Sequence, residues 1–370
     1  MLHAREPSIL KKPVGDDSLS ISDITSEAAR LPSFDGHENI WCGRDEDRGL
    51  TAIVSIHNTK LGPALGGTRL WPHESFEAAL TDALRLSRGM TYKSAVAGLP
   101  LGGGKAVIIA DPKTGKTPAL LTAYAEMLVR LEGQFITAED VGMTLEDADF
   151  LREHAPNVVG TSAGGSGNPS PFTAEGVFLG IKAALKHRNG TERLSGIRVA
   201  VQGLGSVGWS LCEKLYREGA ALIVTDLDPG QVEKAKRAFE AETVAPGEIV
   251  TVSADVFAPC ALGGAITARN VPHIKFGIIA GSANNQLAKH EDARLLMERG
   301  ILYAPDYVIN AGGLINVAAE LSPEGYDPEA VMAKLAKIPL TLTEIFQRAE
   351  QQKRPTNDIA AEMAMERIRR

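Results

Sequence analysis

The apolar run at residues 197–201 leads directly into Gly203, Gly205 and Gly208, a GxGxxG spacing, and this constrains the fold more than any other stretch of the chain. Such a triplet arises often by chance, so its surroundings decide its meaning. It follows a predicted strand, opens a predicted helix over 206–218, and is trailed by a second apolar strand over 221–225 that ends at Asp226. Strand, glycine turn, helix, strand and terminal acid together are the context of a dinucleotide-binding βαβ unit. The glycines allow a tight turn and a close backbone approach to a pyrophosphate, whose charge the helix N-terminus also favours. On this reading Gly203, Leu204, Gly205, Ser206, Val207 and Gly208 form the cofactor loop, and Asp226 accepts hydrogen bonds from the adenosine ribose. Asp226 and Asp228 repel a 2′-phosphate and no arginine stands beside them, so NAD is expected rather than NADP.

The remaining sequence sets this unit in a larger α/β architecture. Before it, β-rich runs at 50–58 and 107–110 alternate with amphipathic helical patterns at 75–88 and 118–131, which predicts a first α/β layer. The Gly-, Ser-, Asn- and Pro-rich segment 157–173 is the clearest linker, with a hinge expected around Gly164 to Pro171. After it come a helix at 174–187, the βαβ unit, and further buried strands at 252–257 and 276–280. The expectation is a two-domain α/β protein with a cleft. It comprises a mobile arm at 1–36, a substrate-binding and catalytic α/β domain at 37–162, a Rossmann-type domain at 163–340, and a C-terminal helix at 341–370.

Composition narrows the function classes. A formal net charge of -7 and the lack of a long basic run leave no electrostatic footprint for nucleic acid. Cys42, Cys212 and Cys260 form no CxxC pair, so neither a zinc site nor a disulfide framework is signalled, and no metal is expected. No stretch has the length of a signal peptide core or a membrane span, which predicts a cytoplasmic protein without a membrane partner. Glycine is in surplus, 37 of 370 residues, where about 26 are usual. Much of that surplus sits in clusters beside polar residues.

One cluster, PLGGGKAV at 100–107, places three glycines directly before Lys105. A P-loop would need glycine at 99 and Ser or Thr at 106, and Leu99 and Ala106 exclude it. A lysine reached through glycines on a β-rich segment is expected to be enclosed, and a second cation nearby would lower its pKa toward the range useful for proton transfer. Lys93, in GMTYKSAVAG, is that second cation, and Asp140, in FITAEDVG, is the candidate carboxylate. Singly, each reads as a solvated surface group. Together, beside a dinucleotide motif, they read as a dehydrogenase site.

The strings GPALGGTRLWP, GMTYKSA, GLPLGGGKAV, TAEDVGM, GSGNPSPFTAEGV, VQGLGSVG, FAPCALGG, IAGSANNQLA and YAPDYVINAGGLINVAAE are similar to those of the leucine, valine and phenylalanine dehydrogenases, the leucine enzymes above all. These belong to the glutamate dehydrogenase superfamily, and the likeness runs from about residue 38 to the C-terminus. The resemblance implies reversible oxidative deamination of an L-amino acid to its 2-oxo acid and ammonium, with NAD reduced. It implies that Lys93 grips the substrate carboxylate, Lys105 activates water and polarises the oxo-acid carbonyl, and Asp140 exchanges protons with the amino group. Asn285 would orient the substrate, Thr173 and Asn284 would hold the nicotinamide half, and Ala261 would lie near the cofactor. A C-terminal helix packed back on the first domain and a homo-oligomer, commonly an octamer, are implied as well.

Substrate choice turns on the residue before Gly66 and Gly67. Glutamate dehydrogenases place there a lysine that pairs with the substrate side chain, and this chain has Leu65. A glutamate carboxylate buried without a partner costs several kcal/mol. By the same resemblance Gly66 and Gly67 contact the substrate, and Leu65, Met90, Ala138, Leu314 and Val317 form an apolar side-chain pocket. The order expected is leucine with isoleucine and valine, then phenylalanine, then tryptophan. A catalytically inactive NAD-binding sensor is the alternative outside enzymes, and the presence of Lys93, Lys105 and Asp140 together weighs against it.

Overall fold

The computed structural model describes residues 18–162, 165–261 and 263–370. Within them the strands make two six-stranded sheets, each covered by helices. The first sheet holds β1 (Ser20–Asp23), β2 (Asn39–Asp45), β3 (Leu50–Asn58), β4 (Ala64–Leu70), β5 (Gly102–Ile108) and β6 (Phe135–Glu139) in the order β1-β2-β3-β5-β4-β6. Its first strands and the β3/β5 pair are antiparallel, whereas β5, β4 and β6 run parallel. The helices of this domain are α1 (Thr25–Ala28), α2 (Phe76–Val96), α3 (Pro118–Arg130) and α4 (Leu145–His154).

The expected arm at 1–36 is corrected from residue 18 onward. Strand β1 pairs with β2, and Leu19 and Ala28 are buried. The strand adds its hydrogen bonds to an existing sheet edge, and Ile21, Ile24, Leu31 and Phe34 pack against the apolar core beside them. Residues 1–17 lie outside the described residues.

Strand β5 is buried along its whole length between β3 and β4, as expected for a central strand. It starts five residues earlier than the run predicted at 107–110, so the glycine cluster lies inside the strand and not before it. The reason is packing: a Cβ on Gly103 would stand 2.0 Å from the Thr91 backbone nitrogen of α2. Only a bare backbone lets the helix lie this close to the sheet. Helix α2 itself begins at Ser75, whose side chain accepts from the Ala78 N–H. It runs eight residues beyond the predicted end at 88. Its sheet-facing polar groups are satisfied, Ser87 by Ser55 and Thr91 by His57.

The second sheet is parallel throughout, in the order β12-β11-β10-β7-β8-β9. Its strands are β7 (Arg198–Gln202), β8 (Ala221–Thr225), β9 (Glu242–Thr243), β10 (Val256–Pro259), β11 (Ile278–Ile279) and β12 (Leu302–Tyr303). Around it lie α5 (Ser170–Asn189), α6 (Ser206–Arg217), α7 (Pro229–Phe239), α8 (Asp292–Glu298), α9 (Asp306–Ile309), α10 (Gly312–Ala318) and α11 (Pro328–Leu335). The chain reverses its strand order between β7 and β10, so the carboxyl ends of these strands form the switch-point crevice in which α/β sheets bind ligands.

Two features join the domains. The predicted single C-terminal helix is two, α12 (Ile338–Gln352) and α13 (Thr356–Arg369), broken where Lys353 takes a φ of 53° just before Pro355. Helix α12 packs on α5, and α13 returns to α2, where Ala364 and Ile368 bury against Ala95. Across the linker, the Glu320 carboxylate accepts from the backbone N–H groups of Gly160 and Ser166. Gly164 of the expected hinge lies outside the described residues.

Candidate active site

Residues Leu86, Gly89, Met90 and Lys93 recur at helical spacing and form the face of α2 that lines a cavity of about 440 Å³ between the two domains. Opposite turns of the same helix are anchored in the sheet, which aims Lys93 into the cleft. Lys105 comes to the same cavity from β5, two residues beyond Gly103 and so on the same sheet face. Asp140 follows the end of β6.

The central contact is an ion pair. Lys105 Nζ donates to Asp140 Oδ2 at 2.7 Å, and the lysine is only 5% exposed. Gly67 leaves the room for it, since a Cβ there would stand 2.8 Å from Asp140 Cβ and 3.4 Å from Lys105 Nζ. Burial pushes the Lys105 pKa down, Asp140 opposes this, and Arg69 adds a like charge; the net direction is down. Burial pushes the Asp140 carboxyl up, but Lys105 and Arg69 outweigh it and hold the group at about 2. Lys93 is brought down to about 8 by burial, with Asp306 opposing and Lys105 reinforcing. Its ammonium has no hydrogen-bond partner among the described residues. The site therefore holds one ionised carboxylate, one tuned lysine and one lysine free to meet an anion.

Every residue expected to contact substrate is at this cavity: Leu65, Gly66, Gly67, Met90, Lys93, Lys105, Ala138, Asp140, Asn285, Leu314 and Val317. Leu65 is 1% exposed and packs in the same apolar cluster as Leu314 and Val317. Asn285 has a φ of 52°, a left-handed conformation that asparagine tolerates better than most side chains. Of the expected cofactor residues, Thr173, Val207 and Asn284 also line the cavity, whereas Gly203, Leu204, Gly205, Ser206, Gly208, Asp226 and Ala261 lie beyond its lining. Val207, in the first turn of α6, connects the two groups.

The glycine loop fits a dinucleotide. Gly203 has a φ of 96°, and a Cβ on Gly208 would stand 2.0 Å from the Gly203 carbonyl oxygen, so both are required by the turn itself. A Cβ on Gly205 would meet nothing within 4 Å, and Gly205 caps α6 with no side-chain bond to its free N–H groups. Open space before an uncapped helix start is what a pyrophosphate needs. Ala261 lies over this turn, 2.9 Å from where a Gly203 Cβ would be. Asp226 accepts from the backbone N–H groups of Leu204 and Asp228, one at each oxygen. Each oxygen keeps a further lone pair for a ribose hydroxyl. Asn284 Oδ1 accepts from Asn310 Nδ2 at 2.6 Å, and the buried Asn310 Oδ1 has no hydrogen-bond partner among the described residues.

Sequence reasoning missed Asp306, Tyr307 and Asn310, which reach the cavity from α9 and the residue after it, and it gave Arg69 no role. Their string, YAPDYVIN, carried a signal only through the resemblance. No spacing rule predicts that α9 would fold against α2. Among the described residues there is no metal-binding cluster, and no helix is long and apolar enough to cross a membrane.

The chain is similar to known proteins in both sequence and fold. Residues 39–156 match the family described as Glu/Leu/Phe/Val dehydrogenase, dimerisation domain, and residues 164–228 and 225–370 match Glutamate/Leucine/Phenylalanine/Valine dehydrogenase. The chain is 49% identical over 340 residues to a leucine dehydrogenase of Geobacillus stearothermophilus, spanning 91% of this chain and 92% of that one. It is also 49% identical to an L-tryptophan dehydrogenase of Nostoc punctiforme, over 90% of this chain and 94% of the relative. The crystal structure of L-tryptophan dehydrogenase from Nostoc punctiforme superposes with a TM-score of 0.80, covering 90% of this chain and 96% of that one at 47% identity. The chain belongs to the glutamate/leucine/phenylalanine/valine dehydrogenase family and is an oxidoreductase of the NAD(P)-dependent amino-acid dehydrogenase type.

Proposed function

We propose that the protein catalyses the reversible, NAD-dependent oxidative deamination of a branched-chain L-amino acid, leucine with isoleucine and valine first. The observation that carries this reading is the ion pair between buried Lys105 and half-buried Asp140, beside an apolar pocket whose wall includes Leu65. When bound along the glycine loop, NAD supplies the acceptor for the hydride leaving the substrate Cα. Asp226 and Asp228 favour an unphosphorylated ribose.

Each step asks a defined task of the chain. Lys93 pairs with the substrate carboxylate, and Asn285 fixes the orientation of the amino group. Asp140, ionised in the free protein, takes a proton from the substrate ammonium. Lys105, in its neutral form, removes a proton from the water that attacks Cα, and in the reverse direction its ammonium polarises the carbonyl oxygen of the oxo acid. Leu65, Met90, Ala138, Leu314 and Val317 receive the side chain and exclude water from it. Glutamate is disfavoured because none of these five can pair with its second carboxylate.

Identity alone does not rank the substrates, since a leucine and a tryptophan enzyme are equally similar to this chain. A panel of leucine, isoleucine, valine, phenylalanine, tryptophan and glutamate, followed by NADH absorbance, tests the reading. The highest kcat/KM is expected with leucine, isoleucine or valine, and a maximum with tryptophan or no turnover at all would overturn it. We also propose that the protein works in the cytoplasm as a homo-octamer, which light scattering would detect as eight times the 39.3 kDa chain mass.

A further inference from the structure

We propose that Arg69, anchored by Asp82, is a positioning residue that holds one oxygen of Asp140 against Lys105 and leaves the other oxygen facing the cleft. The inference rests on the amino-acid dehydrogenase reading for its chemistry, but its geometry stands alone. Arg69 projects from β4, where it pairs in register with Val107, and Asp82 projects from α2. Arg69 Nε donates to Asp140 Oδ2 at 3.0 Å, the same oxygen that Lys105 Nζ reaches at 2.7 Å. Arg69 Nη1 donates to Asp82 Oδ2 at 2.9 Å. The planar guanidinium thus bridges two carboxylates from a fixed position, which a lysine ammonium cannot reproduce with the same geometry.

Two consequences follow for the reaction. With Oδ2 saturated by two cations, Oδ1 of Asp140 has no hydrogen-bond partner among the described residues, and it is the oxygen that exchanges a proton with the substrate nitrogen. Arg69 also remains charged at every working pH. It shares the Asp140 carboxylate with Lys105 and repels the Lys105 ammonium, so it favours the neutral lysine that accepts a proton from water. Asp82 acts on Lys105 in the opposite sense. The charged groups facing Lys105 are Asp140, Arg69, Asp82 and Lys93. Asp82 also has His73 beside it, whose Nε2 lies 3.6 Å from Asp82 Oδ2.

The test is competitive acetylation of Lys105 by acetic anhydride across pH, read by peptide mass in the full-length protein, alongside the pH profile of kcat/KM for leucine. Arg69→Gln removes the cation, so the Lys105 labelling midpoint and the acidic limb of the profile move up by about half a unit or more. Asp82→Asn removes the anion, so both move down. Arg69→Lys keeps the charge but not the bridge; its midpoint stays at the wild-type value while kcat falls about tenfold and the KM for NAD is unchanged. A loss of packing alone would not produce shifts of opposite sign. Equal shifts in one direction, or none in either variant, overturn the proposal. If Arg69→Gln does not fold, the Asp82→Asn shift and the Arg69→Lys split decide it. If the wild-type protein turns over no amino acid, the functional reading falls, and the labelling midpoints still decide the role of Arg69.

Discussion

The two sides of the cleft are built on different principles. On the first domain, side chains do the work: Lys105, Asp140, Arg69 and Asp82 are joined by hydrogen bonds of 3.0 Å or less and held by a sheet and a helix packed at backbone distance. On the second domain, the loop at 203–208 offers backbone N–H groups and empty space, and Asn284 and Asn285 are exposed. Charges that must change protonation need a dry, fixed setting, because a low-dielectric surrounding is what lets neighbours tune them. A cofactor that must enter and leave is better met by backbone donors that need no side-chain ordering. Damage on the first side should therefore appear in kcat, and damage on the second in cofactor affinity.

The sharpest break of this contrast is Lys105→Ala. It should lower kcat about 10³-fold or more while NADH affinity, measured by fluorescence titration, stays within about twofold. Unchanged turnover would remove Lys105 from the reaction. Next in size, Leu65→Lys places a cation in the apolar wall and should cut kcat/KM for leucine about 10²-fold, with glutamate gaining relative to leucine. Retained preference for leucine would show that Leu65 does not contact the side chain.

A smaller effect follows from Lys93, brought down to about 8. Carboxylate binding needs its ammonium form. In the free enzyme affinity for the 2-oxo acid should be level below that pH and weaken above it, with KM rising by about tenfold per pH unit. Lys93→Met should raise KM and flatten the profile. A KM that stays constant through this range would contradict the assignment. On the cofactor side, Gly208→Ala meets the Gly203 carbonyl oxygen and should lower Tm by about 5 °C or more, whereas Gly205→Ala enters open space. The latter should leave Tm within about 1 °C and weaken NADH about five-fold. Equal losses of Tm in both variants would mean that Gly205 also serves the fold and not the ligand.

Legibility in the sequence also differed between these sides. The βαβ unit was legible almost to the residue: β8 at Ala221–Thr225 coincides with the predicted strand, and α6 ends one residue short of its predicted limit. Its signals are local, since a glycine turn and an acid at a strand end act within one supersecondary unit. On the side of the two lysines, which residues line the cavity was legible but their arrangement was not. Lys93, Lys105 and Asp140 were named from their glycine-rich settings, yet the glycines before Lys105 turned out to serve the contact between α2 and β5, a long-range requirement. The part of the expected arm from residue 18 to 36 was misread for the same reason, because pairing of β1 with β2 depends on an edge that exists only once the sheet has formed.

Residue types and spacing alone thus pointed to a dinucleotide-binding half and to Lys93, Lys105 and Asp140 as a group, while the apolar wall at Leu65 was implied only by the family resemblance. Only the folded chain decided that Arg69 and Asp82 join those groups, that Asp306 and Tyr307 reach the cleft, and that the C-terminal segment breaks into two helices to tie the domains together. The physical reason is the range of the forces involved. Turn chemistry and periodicity act over a few residues of chain, whereas ion pairs and close packing join residues whose separation in sequence carries no information about their separation in space.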